Sequence, residues 1–153
     1  MDEGKAFEND WKKSVPEDVF YLRLKDDTSG FAGVGNICDC ILYKHPYMYA
    51  LELKSHLGKS LPFGCISETQ VKGVAEASTF NGIIAGVIFN FRDCLETYFV
   101  NGKIVSEYYY LGIRKSFPIQ WCRDNGVLIN SHMKITRSTY FIDEFMKEME
   151  GKN

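Results

Sequence analysis

The sequence predicts an α/β fold, a mixed β-sheet flanked by helices. Three observations carry this. Apolar residues alternate with period two through residues 19–25 and again through 36–55, the mark of strands with two unlike faces. Residues 82–91, Gly-Ile-Ile-Ala-Gly-Val-Ile-Phe-Asn-Phe, are almost wholly apolar, as a central strand buried on both faces requires. Helical spacing and capping residues recur before, between and after these runs. The 153 residues fit a single domain, 1–153, with a sizeable core.

Residues 2–14 read as a helix in which Ala6, Phe7 and Trp11 supply apolar contacts, and Pro16 stops it. A strand follows at 19–25. Phe20, Leu22 and Leu24 share one of its faces, and Val19, Tyr21, Arg23 and Lys25 the other. Residues 26–35 form a Gly-rich loop. No Walker lysine follows it and no helix starts there, so it is a connection or short stalk rather than a phosphate-binding loop.

Residues 36–55 read as a hairpin turning at Lys44-His45-Pro46. A four-residue loop over 44–47 pairs Tyr43 with Met48, and that register sets Asp39 directly opposite Glu52. Like charges facing each other across strands are destabilising. Two such carboxylates call for a cation, and Mg²⁺ suits them because it takes oxygen ligands and keeps several waters. Lys54 shares the face of Glu52 and is placed to polarise a bound water or steady a phosphate. Glu8, on the first helix, is a candidate third ligand. The bland reading of these charges is an edge-strand pattern that discourages aggregation.

Residues 56–64 read as a loop. Ser67 caps a helix running to about residue 80, with Gln70 at the capping-box position and Asn81-Gly82 as its end. After the central strand come a short strand at 97–100, a turn at Asn101-Gly102 and a helix at 104–113. A second short helix at 118–124 takes Ser116 as its N-cap. Residues 126–129 and 135–141 are extended, and 143–150 is an amphipathic helix. The stretch 119–153 is a C-terminal extension that completes the core or adds a partner surface.

The formal net charge of −2 excludes a generic basic DNA-coating protein, so any nucleic-acid surface is local. Lys5, Lys12, Lys13, Arg23, Lys25, Lys59 and Lys72 are its candidates. The five cysteines are odd in number and form no C-x-x-C, which implies reduced thiols and an intracellular protein. No run approaches the roughly 20 apolar residues of a membrane span, and the Met1 end has no signal-peptide core. His45, His56 and His132 fit no metal spacing. Tyr108, Tyr109 and Tyr110 are placed to pack on a sheet rather than to stack bases.

An ordered set of segments resembles the PD-(D/E)xK nucleases, and within them the RecU-type Holliday junction resolvases and their phage-borne relatives. Gly4-Lys5-Ala6-Phe7-Glu8 is similar to the family's first helix. The strand with Asp39 and the Leu51-Glu52-Leu53-Lys54 strand are similar to its catalytic hairpin. Leu61-Pro62-Phe63 and Ser67-Glu68-Thr69-Gln70 resemble the approach to a helix with a glutamine near the site. Residues 82–91 and 96–100 resemble the next strand pair.

The resemblance implies a restriction-endonuclease-like core and a Mg²⁺-dependent nuclease, with Mn²⁺ as substitute, that resolves four-way DNA by paired nicks. In that reading Asp39, Glu52, Lys54 and Gln70 are catalytic, and Asp39, Glu52 and Glu8 hold the metal. It implies a homodimer in a bacterial or phage-infected cytoplasm, with recombinase or branch-migration proteins as further partners. The alternatives are a less selective restriction-like or repair nuclease, and a non-catalytic DNA-binding recombination accessory protein.

Overall fold

The structure, a computed structural model, describes residues 2–24 and 36–152. The expected loop at 26–35, and Lys25 with it, lies outside them. The chain runs α1 (Glu3–Ser14), β1 (Phe20–Arg23), β2 (Cys40–Lys44), β3 (Tyr47–His56), β4 (Ser60–Pro62), α2 (Glu68–Ala77), β5 (Ile83–Phe91) and β6 (Glu96–Asn101). It continues with α3 (Gly102–Tyr110), β7 (Ser116–Pro118), α4 (Ile119–Asn125), β8 (Val127–Leu128), β9 (Ser131–Lys134), β10 (Arg137–Tyr140) and α5 (Ile142–Lys152).

Six strands form one sheet in the order β1-β2-β3-β5-β6-β8. Among the described residues only β3 and β5 pair in parallel there. A parallel pair needs a crossover, and α2 supplies it. The alternation within the strands splits the core into two layers. On one face Leu51, Leu53, Ile84 and Ile88 pack with Phe7 and Trp11 of α1 and Phe145 of α5. On the other, Ala50, Ala85 and Val87 pack with Val71 and Val74 of α2 and Val105 of α3. The central strand is buried from Ile84 to Phe91, as its composition requires. Gly86 lets β5 and β6 approach, since a Cβ there would run into the Val100 carbonyl and the Phe99 ring.

Several expectations change in detail. The hairpin keeps its register, Tyr43 against Met48, but Lys44 also pairs with Tyr47, so the turn is His45-Pro46 alone. The 56–64 loop contains β4, which pairs with β7, and this draws Ser116 into a strand instead of a cap. Asn101-Gly102 is a helix start rather than a turn, with the Asn101 side chain accepting the Lys103 N–H at 2.9 Å. The extended run at 135–141 is half of a second hairpin, β9–β10, turning at Ile135-Thr136. Tyr108 packs against Phe63, Phe117 and Trp121, so it serves the core. Among the described residues no helix is long and apolar enough to cross a membrane.

Candidate functional site

Asp39 stands at the threshold of β2 and is held from both sides. Its N–H donates to the Leu51 carbonyl at 3.0 Å, and its own carbonyl accepts the Leu24 N–H at 2.8 Å. Its carboxylate Oδ2 accepts the Leu53 N–H at 2.7 Å, so the side chain lies against β3. The β2–β3 ladder ends at Cys40–Leu51, and the Asp39 N–H turns to that same Leu51 carbonyl, so Asp39 lies just past the regular pairing. The two carboxyls are still close enough to act on each other.

Glu52 is fully buried, 0% exposed, next to Val87 of β5. Among the described residues neither of its carboxylate oxygens meets an N–H or hydroxyl donor, and its close polar neighbour is the Asp39 carboxyl. Lys54 Nζ stands 3.9 Å from Oε2, close enough for attraction but not for a hydrogen bond. Burial holds the Glu52 carboxyl well above the usual carboxylate range. The Asp39 carboxyl adds to the shift and Lys54 partly opposes it. A bare buried carboxylate is expensive, so without a cation this group keeps its proton at neutral pH.

Glu8 projects from the middle of α1, and its charge also acts on Glu52. Its own partner is Arg23 of β1, whose Nε and Nη2 donate to Oε2 at 3.3 and 3.0 Å. Among the described residues no three His, Cys, Asp or Glu side chains are gathered as a ready metal cluster. The donor set nevertheless fits a hard divalent cation. It offers carboxylate oxygens, those of Glu52 without a donor among the described residues, on a site with a compensating lysine. The buried Cys38 thiol is pushed up to about 12 by desolvation and then by Glu52 and Asp39, so it is no nucleophile at neutral pH.

Gln70 completes a capping box on α2: its Oε1 accepts the Ser67 N–H at 3.0 Å while its own N–H donates to Ser67 Oγ at 3.1 Å. Lys5 and Lys13 are exposed on α1, and Lys12 lies 5.9 Å over the Tyr21 ring. Lys59 is exposed beyond β3. Lys72 pairs with Glu68 at 3.4 Å, one turn along α2. These cations are spread over several elements rather than gathered into one stripe.

Sequence reasoning missed Asp10. It is buried, its Oδ2 accepts the Ser138 N–H at 3.1 Å and its Oδ1 meets Arg137 at 3.5 Å, which ties α1 to β10. Its place three residues after Phe7 on the apolar face of the helix was the available signal.

Among solved structures, the chain resembles Archaeoglobus fulgidus Hjc, a Holliday junction resolvase from an archaeal hyperthermophile. The TM-score is 0.54 at 19% identity, over 82% of this chain and 95% of that one. The likeness shows the fold: a restriction-endonuclease-like α/β core. No family model matches the chain. The chain belongs to the family of the SPbeta prophage-derived uncharacterized protein YotM of Bacillus subtilis strain 168. It is 30% identical to YotM over 171 aligned residues, covering 98% of this chain and 88% of YotM.

Proposed function

We propose that this chain is a divalent-metal-dependent endonuclease that resolves four-way DNA, resembling a RecU-type Holliday junction resolvase. The observation that carries the reading is Glu52. A fully buried carboxylate whose oxygens meet no donor among the described residues, close to Asp39 and beside Lys54, is a poor structural element and a good half of a metal site. The fold shared with Hjc supports it.

Asp39 and Glu52 would hold the ion, Mg²⁺ or Mn²⁺, with Glu8 as a further ligand directly or through water. When bound, the ion supplies an activated water and compensates charge on the phosphate under attack. Lys54 orients the attacking water and stabilises developing charge from its place on the same strand face. Gln70 steadies the site from the start of α2. Lys5, Lys12, Lys13, Arg23, Lys25, Lys59 and Lys72 contact the DNA backbone. The whole chain, 1–153, acts as one nuclease domain in the bacterial or phage-infected cytoplasm. Two copies nick symmetrically as a homodimer, alongside recombinase or branch-migration proteins.

The test is cleavage of a synthetic four-way junction beside a linear duplex in Mg²⁺, for the wild type and Asp39→Asn. Junction cutting by the wild type alone is expected. Failure to cut either substrate removes the nuclease reading, and equal cutting of both reduces it to a less selective nuclease. Normal cutting by Asp39→Asn refutes the site.

A further inference from the structure

A cavity of about 160 Å³ opens on the α1 face of the sheet, near the ends of β3 and β5. Its wall includes Arg92, with Leu95 on one side and Met133 and Thr136 on the other. Two residues beside it hold a costly backbone conformation with an exposed side chain. Leu95, in the β5–β6 turn, sits at φ 53° and is 58% exposed. Ile135, at the tip of the β9–β10 hairpin, sits at φ 59° and is 89% exposed. Left-handed backbone suits glycine or asparagine, and a β-branched residue there is an outlier. An aliphatic side chain that is both disfavoured by its backbone and turned to water is explained best by a partner it touches.

The surroundings say what that partner is. The hairpin segment Ser131-His132-Met133-Lys134-Ile135-Thr136-Arg137 contains no acid, and Lys134 and Arg137 flank the tip. In the cavity wall, Arg92 has a buried Nε without a partner among the described residues, and its Nη1 stands 3.5 Å from Glu3. A guanidinium with unused donors is suited to a phosphate oxygen. The Ile135 tip, between Lys134 and Arg137, matches the wedges that proteins press between base steps when they bend or open DNA. The hairpin is also rigidly based: Ser14 Oγ accepts the Tyr140 N–H at 2.9 Å and Asp10 accepts the Ser138 N–H at 3.1 Å. Both anchors lie on α1, the helix that carries Glu8, so the tip keeps a set position relative to the candidate site.

We propose that Ile135 is an apolar wedge that contacts an unstacked base at a DNA branch, while Arg92, in the cavity beside the hairpin, takes a backbone phosphate. This rests on the branched-DNA reading above and adds the element that recognises the branch.

The experiment measures binding in EDTA, where no cutting occurs. A four-way junction carrying 2-aminopurine at its centre is compared with a linear duplex, for the wild type, Ile135→Gly, Ile135→Leu and Arg92→Ala. Glycine accepts the Ile135 backbone angle, so Ile135→Gly folds at least as stably as the wild type. It is expected to lower the junction-to-duplex affinity ratio by about tenfold and to abolish the 2-aminopurine fluorescence rise. Ile135→Leu keeps both, and Arg92→Ala lowers the salt slope of junction binding by about one. If Ile135→Gly retains the wild-type ratio and fluorescence, or Ile135→Leu loses both, the wedge is wrong while the nuclease reading stands. An unchanged salt slope removes Arg92 from the contact. A wild type with no preference for the junction removes the branched-DNA reading and the wedge together.

Discussion

Asp39 Oδ2 accepts the Leu53 N–H at 2.7 Å, so one acid of the candidate site is tied to the strand that carries the other. That bond gives Asp39 a structural duty beside its proposed chemical one. Asn at 39 retains an acceptor oxygen, whereas Ala leaves the Leu53 N–H without one. Asp39→Asn is therefore expected to keep its stability within about 1 kcal/mol, and Asp39→Ala to lose about 1–3 kcal/mol. Both are expected to cut a four-way junction at least about 100-fold more slowly in Mg²⁺. Urea melts beside single-turnover cleavage separate the two effects.

Glu52 makes stability depend on pH. Its folded-state carboxyl keeps its proton above the ordinary value of 4.5, so from that pH upward the native state binds more protons than the unfolded chain. Stability in metal-free buffer then falls as pH rises, by at most about 1.4 kcal/mol per pH unit from this group. Glu52→Gln carries no such proton and is expected to show a flatter profile between pH 5 and 8. Mg²⁺ added at pH 8 is expected to restore the wild type and leave Glu52→Gln unmoved. Parallel profiles for the two proteins would assign the proton elsewhere.

Gln70 has two roles that one pair of variants separates. Gln70→Ala removes the side-chain half of the capping box and is expected to destabilise by about 1 kcal/mol. Glu also completes a capping box, so Gln70→Glu is expected to retain the stability. A carboxylate near Asp39 and Glu52 would change metal affinity and rate if Gln70 reaches the site. Wild-type cleavage by Gln70→Glu would leave the residue as a cap alone.

Gly86→Ala tests the packing of the central strand. The added Cβ meets the Val100 carbonyl and the Phe99 ring, and the backbone atom cannot turn aside. A loss of about 1–3 kcal/mol or more is expected, read as a lowered denaturation midpoint. An unchanged midpoint would mean that β6 shifts freely against β5.

Much of the fold is legible in the chain because its signals are local. Alternation in 36–55, with the turn residues, sets the hairpin register from Lys44–Tyr47 to Cys40–Leu51, which leaves Asp39 and Glu52 as close neighbours at its end. The unbroken apolar run of β5 announces burial on both faces, and Ser67 with Gln70 announces a helix start. The later turns are less legible in the chain. Asn101 is a turn former and an N-cap alike, and Ser116 had cap chemistry that pairing with β4 overrode.

The sequence by itself determined the α/β class, the core strands and the acid pair with its lysine, because side-chain periodicity and neighbour identity are short-range properties. Only the tertiary structure decided which partners those side chains take. It joins Glu8 to Arg23, leaves Glu52 without a donor among the described residues, and fastens Ser138 to Asp10 across a separation of 128 residues. Such contacts arise when layers pack and distant backbone groups must find acceptors, and no local pattern encodes which acceptor lies nearest.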